Sequence, residues 1–328
     1  MTKVETARGP IGTADLGFTL MHEHVIILSE GVVETWPSLF DEEQRTNDAV
    51  RRLNELYDTG VKTIVDLTVM GLGRNIPRIQ RIASQTKLSI IVATGLYTYD
   101  ELPHHFQNNE ALPKELARDA DYLARFFVGD IKDGIGGTGV KAAILKVATD
   151  EQGVTPGVET VLRAVARAHR QTGVPISTHT HAASEQGRHQ QDIFEEEGVD
   201  LSRVIIGHSG DTTDLNYLRG LIERGSYVGM DRFGIEAPGY ISLEERVDTI
   251  ARLCEMGHVD HIVLSHDASC YIDWFPEEAL RQIVPRWNYT HISKDVLPMM
   301  LERGISQEQI DQMTTANPRA IFERQGAY

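Results

Sequence analysis

The chain of 328 residues has few cysteines and no long apolar run. Its two cysteines, Cys254 and Cys270, cannot build a disulfide framework and fit a reducing compartment. No apolar stretch approaches the roughly 18 residues that a membrane-spanning helix requires. The first 17 residues are polar and lack the apolar core of a secretory signal. We therefore expect a cytoplasmic protein without a membrane partner.

Basic residues are also in short supply. Lysine and arginine number 32 against 48 aspartates and glutamates, so the formal net charge is −16. A chain this acidic repels phosphate backbones, which argues against nucleic acid as a partner. The sequence also lacks low-complexity tracts, blocks of like charge and Pro/Ser linkers that would mark a domain boundary. We predict a single domain over residues 1–328.

A short β-branched run followed by a longer segment of helical period recurs along the chain. Several runs are apolar throughout, which is typical of parallel strands buried on both faces. Eight runs alternating with helices over about 250 residues predict an α/β fold, a (β/α)8 TIM barrel, with a doubly wound open sheet as the alternative. The predicted strands are 18–25, 62–69, 88–97, 141–148, 174–181, 203–209, 226–233 and 260–268. The predicted helices are 47–58, 75–85, 112–133, 158–172, 184–197, 214–224 and 243–256.

Two segments flank the predicted barrel. Residues 3–17 are expected to form a short N-terminal cap over the barrel's bottom, and the tail from Ser293 shows helical patterns up to Phe322 that would pack outside. Gly134–Gly139 satisfies G-x-G-x-x-G, the pattern of dinucleotide-binding loops. Here the pattern leaves a helix and enters a strand, opposite to the context of that motif. It is better interpreted as a helix stop followed by a flexible turn.

A pair of histidines stands in the first predicted strand, in the stretch TLMHEHV (residues 19–25). Residues two apart in a strand point to the same side, so His22 and His24 would face one spot while Glu23 faces the other way. Such a pair is common by chance, and surface or core histidines are the plain alternative. The polar residues of the other predicted strands distinguish between these interpretations.

Other predicted strands also carry polar side chains near the end at which the active sites of TIM barrels lie. Each has an ordinary explanation by itself, such as a core histidine or a salt bridge at a strand end. Their coincidence at one end of the barrel predicts a single site. They are Lys146 in the fourth strand, His179 and His181 in the fifth, His208 in the sixth, and His266 and Asp267 in the eighth.

The residue types predict a metal site. Imidazole and carboxylate bind zinc-like and other first-row divalent ions, and four histidines with a carboxylate exceed the needs of one catalytic ion. Two ions about 3.5–4 Å apart need a bridging group. A lysine buried beside two cations should lose its proton, because burial and positive neighbours lower its pKa. The free amine of Lys146 can then add carbon dioxide and become a carbamate, which is an anionic bridge with two oxygens.

These residues resemble the phosphotriesterase family of the amidohydrolase superfamily. The resemblance runs from TARGPI and LGFTLMHEH to ANPRAIFERQG and covers essentially the whole chain. Within the family, ATGLYTY with Tyr97 and MDRFG with Arg232 resemble active-site segments of the phosphotriesterase-like lactonases. The resemblance implies two divalent ions, zinc, cobalt, manganese or iron, bridged by a hydroxide and by N6-carboxylated lysine. The implied ligands are His22, His24 and Asp267 for the buried ion, His179 and His208 for the exposed ion, and Lys146 for both.

The resemblance also implies an activity. The protein would then be a metal-dependent hydrolase that opens lactone rings, most of all N-acyl homoserine lactones in quorum quenching. Weak phosphotriesterase activity would accompany this reaction. Asp267 would take and relay a proton, Tyr97 would help hold the ring, and Arg232 would order that wall. A homodimer is expected from the resemblance alone.

Four further polar residues match no ligand position of the family. His181 and His266 are strand neighbours of ligands and are expected to support the site or the fold. Asp66 and Asp231 are expected to orient ligand imidazoles or to pair with Arg232, with plain strand-end salt bridges as the alternative.

The substrate is the open choice. Residues 234–242 are shorter than the corresponding insertion in relatives specialised for organophosphates. The longer stretch 268–292 could line an apolar channel for an acyl chain, or fold onto the barrel or into a dimer contact. Alternative functions are the same metal chemistry on other carboxylic or phosphoric esters, and a catalytically idle barrel that binds metal or a partner. The apolar and aromatic residues of the stretch 268–292 that could line such a channel are Tyr271, Trp274, Phe275, Ile283, Pro285 and Trp287.

Overall fold

The computed structural model describes residues 2–107, 118–237, 239–324 and 326–328. Residues 112–117 of the predicted helix 112–133 therefore lie outside the described residues. Eight of the described strands overlap the eight predicted runs, and the other four are two-residue strands that the sequence did not predict. They are β1 (Lys3–Val4), β2 (Ile11–Gly12), β3 (Thr19–Glu23), β4 (Ile26–Ile27), β5 (Thr63–Asp66), β6 (Ser89–Gly95), β7 (Ile144–Thr149), β8 (Ile176–Thr180), β9 (Val204–Ile206), β10 (Tyr227–Met230), β11 (Ile262–Leu264) and β12 (Tyr271–Ile272).

Several of the described helices begin at a residue whose side chain caps the first turn. The Thr155 hydroxyl accepts from Val158 N, and Ser242 forms a capping box with Glu245, so each satisfies otherwise free N–H groups of a first turn. In the described part of the chain, no helix is long and apolar enough to cross a membrane. The α-helices are α1 (Val32–Thr35), α2 (Glu42–Asp58), α3 (Ile76–Ala83), α4 (Ala120–Lys132), α5 (Pro156–Thr172), α6 (Gln186–Glu196), α7 (Leu215–Glu223), α8 (Leu243–Glu255), α9 (Glu277–Ile283), α10 (Leu297–Glu302), α11 (Gln307–Asp311) and α12 (Asn317–Glu323).

Eight strands form one sheet in the order β11-β10-β9-β8-β7-β6-β5-β3, and neighbouring strands pair in parallel. The two ends of this sheet meet through the backbone that follows them. Asp267 N donates to His22 O at 3.0 Å, and His24 N donates to Ala268 O at 2.9 Å. The sheet is thus a nearly closed barrel with helices around it. The predicted (β/α)8 barrel is confirmed, and the open doubly wound sheet is not adopted.

The core has two layers that follow the period-2 alternation of the strands. Leu20, Ile64 and Ile90 belong to the cluster that includes the inward faces of the helices. The next residue of each strand belongs to a separate cluster inside the barrel. Each fully buried Leu or Ile contributes about 1.5–3 kcal/mol relative to an exposed one, so both layers hold the strands in register. The inner residues are Met21, Val65 and Ile91.

The cap and the tail meet at the bottom of the barrel. β1 and β2 form an antiparallel pair, and Leu16 O accepts from Thr63 Oγ1 at 2.7 Å at the start of β5. In the tail, Asn317 Nδ2 donates to Val259 O at 2.9 Å and to Ile262 O at 2.7 Å. Phe322 joins the cluster inside the barrel. The tail therefore does more than pack outside, because its last helix seals the end at which the strands begin.

A buried carboxylate closes the barrel at the opposite end. Glu23 is fully buried and accepts hydrogen bonds from Ser265 Oγ at 2.9 Å and from the backbone N–H groups of His266 and Ala268, each at 2.9 Å. It also accepts from His266 Nδ1 at 2.7 Å. Since His266 Nε2 accepts from Ile292 N at 2.9 Å, the ring proton lies on Nδ1. Glu23 thus ties β3 to both residues that flank Asp267.

Glu23→Gln should destabilise the fold although it keeps the shape of the side chain. An amide has one acceptor oxygen, and its NH2 group would face a peptide N–H. We expect the free energy of unfolding to fall by about 1–3 kcal/mol, the cost of leaving a buried group unsatisfied. Urea unfolding at an unchanged m value measures the difference. Glu302→Gln, on an exposed side chain, is the control and should stay within about 0.5 kcal/mol. Equal midpoints for the two variants would contradict this account.

Candidate metal centre

The barrel opens at the carboxyl ends of its strands into a cavity of about 450 Å³. All six predicted ligands line this cavity, although they come from five different strands or the turns after them. The four histidines and the lysine are at most 4% exposed. The structure thus brings together every residue that the sequence assigned to the metals: His22, His24, Lys146, His179, His208 and Asp267.

Three of the site residues have a left-handed backbone. The φ angles are 56° at His208, 63° at Arg232 and 54° at Asp267, and among the described residues other than glycine only Glu185 shares this conformation. A left-handed conformation at a residue other than glycine costs on the order of 1–3 kcal/mol of folding free energy. It persists only where the surrounding structure holds it. The three follow β9, β10 and β11, so the same sharp turn aims a side chain into the cavity after three successive strands.

One group of donor atoms surrounds His22. Lys146 Nζ lies 2.9 Å from His22 Nε2. Asp267 Oδ1 lies 3.5 Å from His22 Nε2 and 3.2 Å from His24 Nε2. Ligand atoms of His22, His208 and Asp267 all fall within 4.8 Å of one another, which is the spacing that a shared metal ion requires.

A second group lies nearer the opening. His208 Nε2 is 2.9 Å from His179 Nδ1 and 3.7 Å from Asp267 Oδ2. Asp267 therefore reaches both groups, with Oδ1 toward His22 and His24 and Oδ2 toward His208. Two imidazole nitrogens and a carboxylate oxygen aimed at one another are the donor set that a divalent cation prefers.

Carboxylates outside the cavity orient the imidazoles. Asp231 accepts from His22 Nδ1 at 3.0 Å and from His208 Nδ1 at 2.8 Å. His24 Nδ1 donates to Thr68 Oγ1 at 2.9 Å, and that hydroxyl donates to Asp66 Oδ1 at 2.6 Å. With the Nδ1 protons engaged outward, the Nε2 lone pairs of these three histidines face the cavity. Asp231 orients two imidazoles directly, and Asp66 acts on the third through a threonine.

The protonation of the site favours metal binding. Burial lowers the pKa of Lys146 to about 7 and that of His179 to about 4, and it holds the pKa of His208 well below its ordinary value. Burial opposes ionisation of Asp267, but His22, His208, His24 and Arg232 outweigh it and keep the pKa of that carboxyl well below its usual range. Neutral imidazoles, an ionised carboxylate and a readily deprotonated amine are the forms that ligands take. The residues present therefore fit a divalent metal centre.

Tyr97 and Arg232 lie at the rim of the site. Arg232 Nε donates to Asp267 Oδ2 at 3.2 Å. The Tyr97 hydroxyl contacts that of Tyr99 and lies 3.5 Å from His179 Nδ1. Burial, together with the neighbouring Tyr99, raises the pKa of Tyr97 well above its ordinary value, so the phenol stays neutral and can donate a hydrogen bond.

Sequence reasoning missed three charged residues of this region. Asp150 directly follows β7 and places Oδ2 3.4 Å from His179 Nε2. Asp211 accepts from Arg232 Nη1 at 2.8 Å and from Arg246 Nη2 at 2.7 Å. Asp150 and Asp211 could have been found, because both lie just beyond a strand end. Arg246 could not, because it is in helix α8 and reaches the site only through packing.

The two histidines outside the ligand set have other partners. His181 lines the cavity, and its Nδ1 contacts Ser184 Oγ at 2.8 Å. His266 is fully buried between Glu23 and the backbone of Ile292. His266 thus supports the fold, whereas His181 faces the substrate space.

Apolar side chains from two loops form the upper wall. Trp274, Phe275 and Trp287 of the stretch 268–292 line the cavity. Tyr271 instead packs on Phe40, with 5.6 Å between the ring centres. The predicted channel residues therefore divide, because Ile283 and Pro285 are not among the lining residues either. From the segment 234–242, in which residue 238 is outside the described part, the wall receives Ile235, Gly239, Tyr240 and Ile241.

Comparison with known proteins places this site in a family. The phosphotriesterase family model matches residues 2–322. A phosphotriesterase homology protein of Mycobacterium tuberculosis is 55% identical over 329 residues, which cover 100% of both chains. An aryldialkylphosphatase of Saccharolobus solfataricus is 40% identical over 314 residues, 95% of this chain and 96% of that one.

A solved structure of the phosphotriesterase from Mycobacterium tuberculosis has the same fold. Its TM-score is 0.94 at 54% sequence identity, with 99% of this chain and 100% of that chain covered. These matches confirm the prediction of a hydrolase that acts on ester bonds. The match over almost the whole length leads to one conclusion: the chain belongs to the phosphotriesterase family.

Proposed function

We propose that this protein is a binuclear metal-dependent lactonase that opens N-acyl homoserine lactones in quorum quenching, with weak phosphotriesterase activity. The observation that carries the proposal is the convergence of six ligand side chains at the base of a cavity whose upper wall is apolar. The base suits hydrolysis of an ester bond. The wall suits a substrate that joins a polar ring to an apolar arm.

We assign the ligands as the resemblance implies. His22, His24 and Asp267 would hold the buried ion and His179 and His208 the exposed one, with carboxylated Lys146 shared between them. Imidazole, carboxylate and carbamate accept zinc, cobalt, manganese or iron, so availability decides the metal. When bound, such ions polarise a carbonyl oxygen and activate water.

The chain's own residues would orient the substrate and move a proton. Asp267 is placed to accept a proton at Oδ2 and to return it to the leaving alkoxide. Arg232 Nε, 3.2 Å from that oxygen, holds the carboxylate in place. Tyr97 would donate a hydrogen bond to the ring, because its hydroxyl lies at the cavity wall beside His179.

The charges around the cavity favour a neutral substrate. Lys146 and Arg232 are the only lysine or arginine among the described lining residues, and Arg232 is already paired with Asp211 and Asp267. Three aspartates line the same cavity: Asp150, Asp211 and Asp267. Apart from the metals, an anionic substrate would find no unpaired arginine here and no lysine other than the proposed metal ligand Lys146, whereas lactones and phosphotriesters carry no charge that needs such a partner.

The rival proposal is hydrolysis of other carboxylic or phosphoric esters at the same metals. The 40% identical aryldialkylphosphatase favours a phosphotriester as the alternative. A catalytically idle barrel is less well supported, because the donor set is complete. A cytoplasmic homodimer remains a prediction, which light scattering after size-exclusion chromatography and cell fractionation would measure.

Lys146→Ala should empty or scramble the metal site and lower kcat/KM by at least about 10²-fold, since even outer partners of metal ligands are worth 10–100-fold. A small added carboxylic acid should restore part of both the metal content and the activity. Lys146→Arg keeps the charge but cannot form a carbamate, so it should fail too. Elemental analysis and turnover are measured against Lys294→Ala, an exposed lysine. Normal metal content and turnover in Lys146→Arg would rule out the bridge.

Asp267→Asn should depress kcat by at least about 10²-fold, because the amide neither accepts the proton nor matches the charge of the metals. Steady-state kinetics with one lactone give kcat and KM separately. Asp260→Asn changes an exposed aspartate outside the cavity and should leave both constants unaltered. If Asp267→Asn raised only KM, the role as proton carrier would be wrong.

Lengthening the acyl arm should raise kcat/KM by a few-fold per carbon until the cavity is full. Each buried methylene contributes up to about 0.8 kcal/mol, part of which is lost in ordering the arm. Replacing Trp274, Phe275 or Trp287 with Ala should flatten this slope and spare unsubstituted γ- and δ-lactones. A paraoxon-like triester should react far more slowly than the best lactone. A triester that outperforms every lactone would return the choice to the broader hydrolase function.

A further inference from the structure

Two aromatic side chains of the cavity wall stand at its mouth with little packed on them. Trp274 is 42% exposed and Phe275 is 50% exposed, yet both line the cavity. The Trp274 ring lies 6.3 Å from that of Tyr97, which borders the metal site. Because packing covers only about half of each side chain, the backbone on either side has to fix the position of the pair.

The backbone before the pair is held by one carboxylate. Asp273 accepts two hydrogen bonds from Ser29 N, at 2.9 Å to Oδ1 and 2.8 Å to Oδ2, and one from Ser29 Oγ at 3.1 Å. Asp273 N donates to Ile27 O at 3.3 Å. This clamp between Ser29 and Asp273 continues the parallel pairing of β12 with β4. It joins the loop after the last barrel strand to the loop after the first.

The backbone after the pair is held by ion pairs to helix α2. Glu277 accepts from Arg45 Nη1 at 2.9 Å and lies 3.6 Å from Arg52 Nη2. The Arg45 guanidinium also stacks over the Tyr271 ring, 4.0 Å from its centre. Only residues 274–276 lie between the two anchors, and Pro276 restricts the backbone further. The aromatic pair therefore sits on a short bridge with both ends fixed.

Neither member of the clamp belongs to the reacting part of the site. Ser29 and Asp273 are not among the described residues that line the cavity, and no hydrogen bond described for either reaches a metal ligand. What the clamp controls is the wall. A wall that is already ordered in the free protein loses little conformational entropy when a substrate binds. Substrates that contact the wall therefore bind more tightly.

We propose that Ser29 and Asp273 are positioning residues that set the preference of this enzyme for substrates with a long apolar arm. They act by holding Trp274 and Phe275 against the cavity. The inference rests on the proposed function for the lactone ring, but the clamp would serve any ester whose arm lies on this wall.

The test compares Asp273→Ala and Ser29→Ala with wild type and with Asp260→Ala, an exposed aspartate away from the site. Two substrate series are used: homoserine lactones of increasing acyl length, and dialkyl aryl phosphotriesters of increasing alkyl length. Ser29→Ala removes only the hydrogen bond of the hydroxyl and keeps both from the backbone N–H, so its effect on KM should be the smaller one. Loss of the clamp in Asp273→Ala should raise KM about 5- to 20-fold for the longest arms, the scale of ordering one or two side chains. It should leave kcat and the constants for unsubstituted lactones within about twofold.

A double-mutant cycle separates this role from a general structural one. In a background in which Trp274 and Phe275 are both alanine, Asp273→Ala should have no further effect on KM, because the wall that it holds is gone. Hydrogen exchange of residues 270–280 in the free protein should be faster in Asp273→Ala than in Asp260→Ala. Retention of the full KM effect in the double-alanine background would overturn the inference.

The remaining outcomes are distinct. A wild type that hydrolyses the phosphotriesters and no lactone contradicts the proposed function, and the clamp is then judged on the phosphotriester series. A wild type that prefers long arms, with the same preference in Asp273→Ala, overturns the clamp and leaves the function standing. An equal loss of kcat on short and long substrates also overturns it, because the change would then have reached the metals.

Discussion

The arrangement of this barrel depends on the carboxylate of Glu23. It is fully buried and accepts four hydrogen bonds, all from residues that follow the last barrel strand. Two of the donors are the peptide N–H groups of His266 and Ala268, on either side of Asp267. The same hydrogen bonds thus close the sheet and place Asp267, the candidate ligand that reaches both groups of donor atoms. The strand that carries His22 and ends just before His24 is thus the strand that holds Asp267 in its left-handed turn.

Asp231 is a second buried carboxylate, and it orients imidazole rings as Glu23 orients backbone N–H groups. Asp231 accepts from both His22 and His208, so two candidate ligands from distant parts of the chain share one orienting group. Orientation from outside leaves the lone pairs facing inward and the cavity free for metal and substrate. At the cavity wall, Asp211 accepts from both Arg232 and Arg246 and so holds Arg232 in place beside Asp267.

The base of the cavity and its wall are supported separately. The candidate ligands lie in strands or in turns immediately after them, where the barrel leaves the backbone little freedom. The part of the wall in the stretch 268–292 lies in a longer loop, which hydrogen bonds anchor to the loop after the first barrel strand and ion pairs anchor to helix α2. The chemistry can therefore stay constant while the wall adapts to other arms, which is how TIM barrels vary their substrates.

The sequence by itself determined the barrel, and it predicted which polar side chains lie at one end of the strands. β-branched runs of period 2, helical segments between them, and polar side chains at one end of each run are local patterns. From these, all eight barrel strands could be predicted, and so could the gathering of His22, His24, Lys146, His179, His208 and Asp267 at one end of the barrel. The same patterns also placed His266 there, which does not line the cavity, and only the family resemblance separated the six from it. Only the tertiary structure decided how the parts are held. Glu23 meets residues more than 240 positions away, Arg246 reaches the site from a helix, and Trp274 faces the cavity while Ile283 does not. Such contacts follow from how the sheet closes and where the loops fold back, and no local pattern in the chain records either.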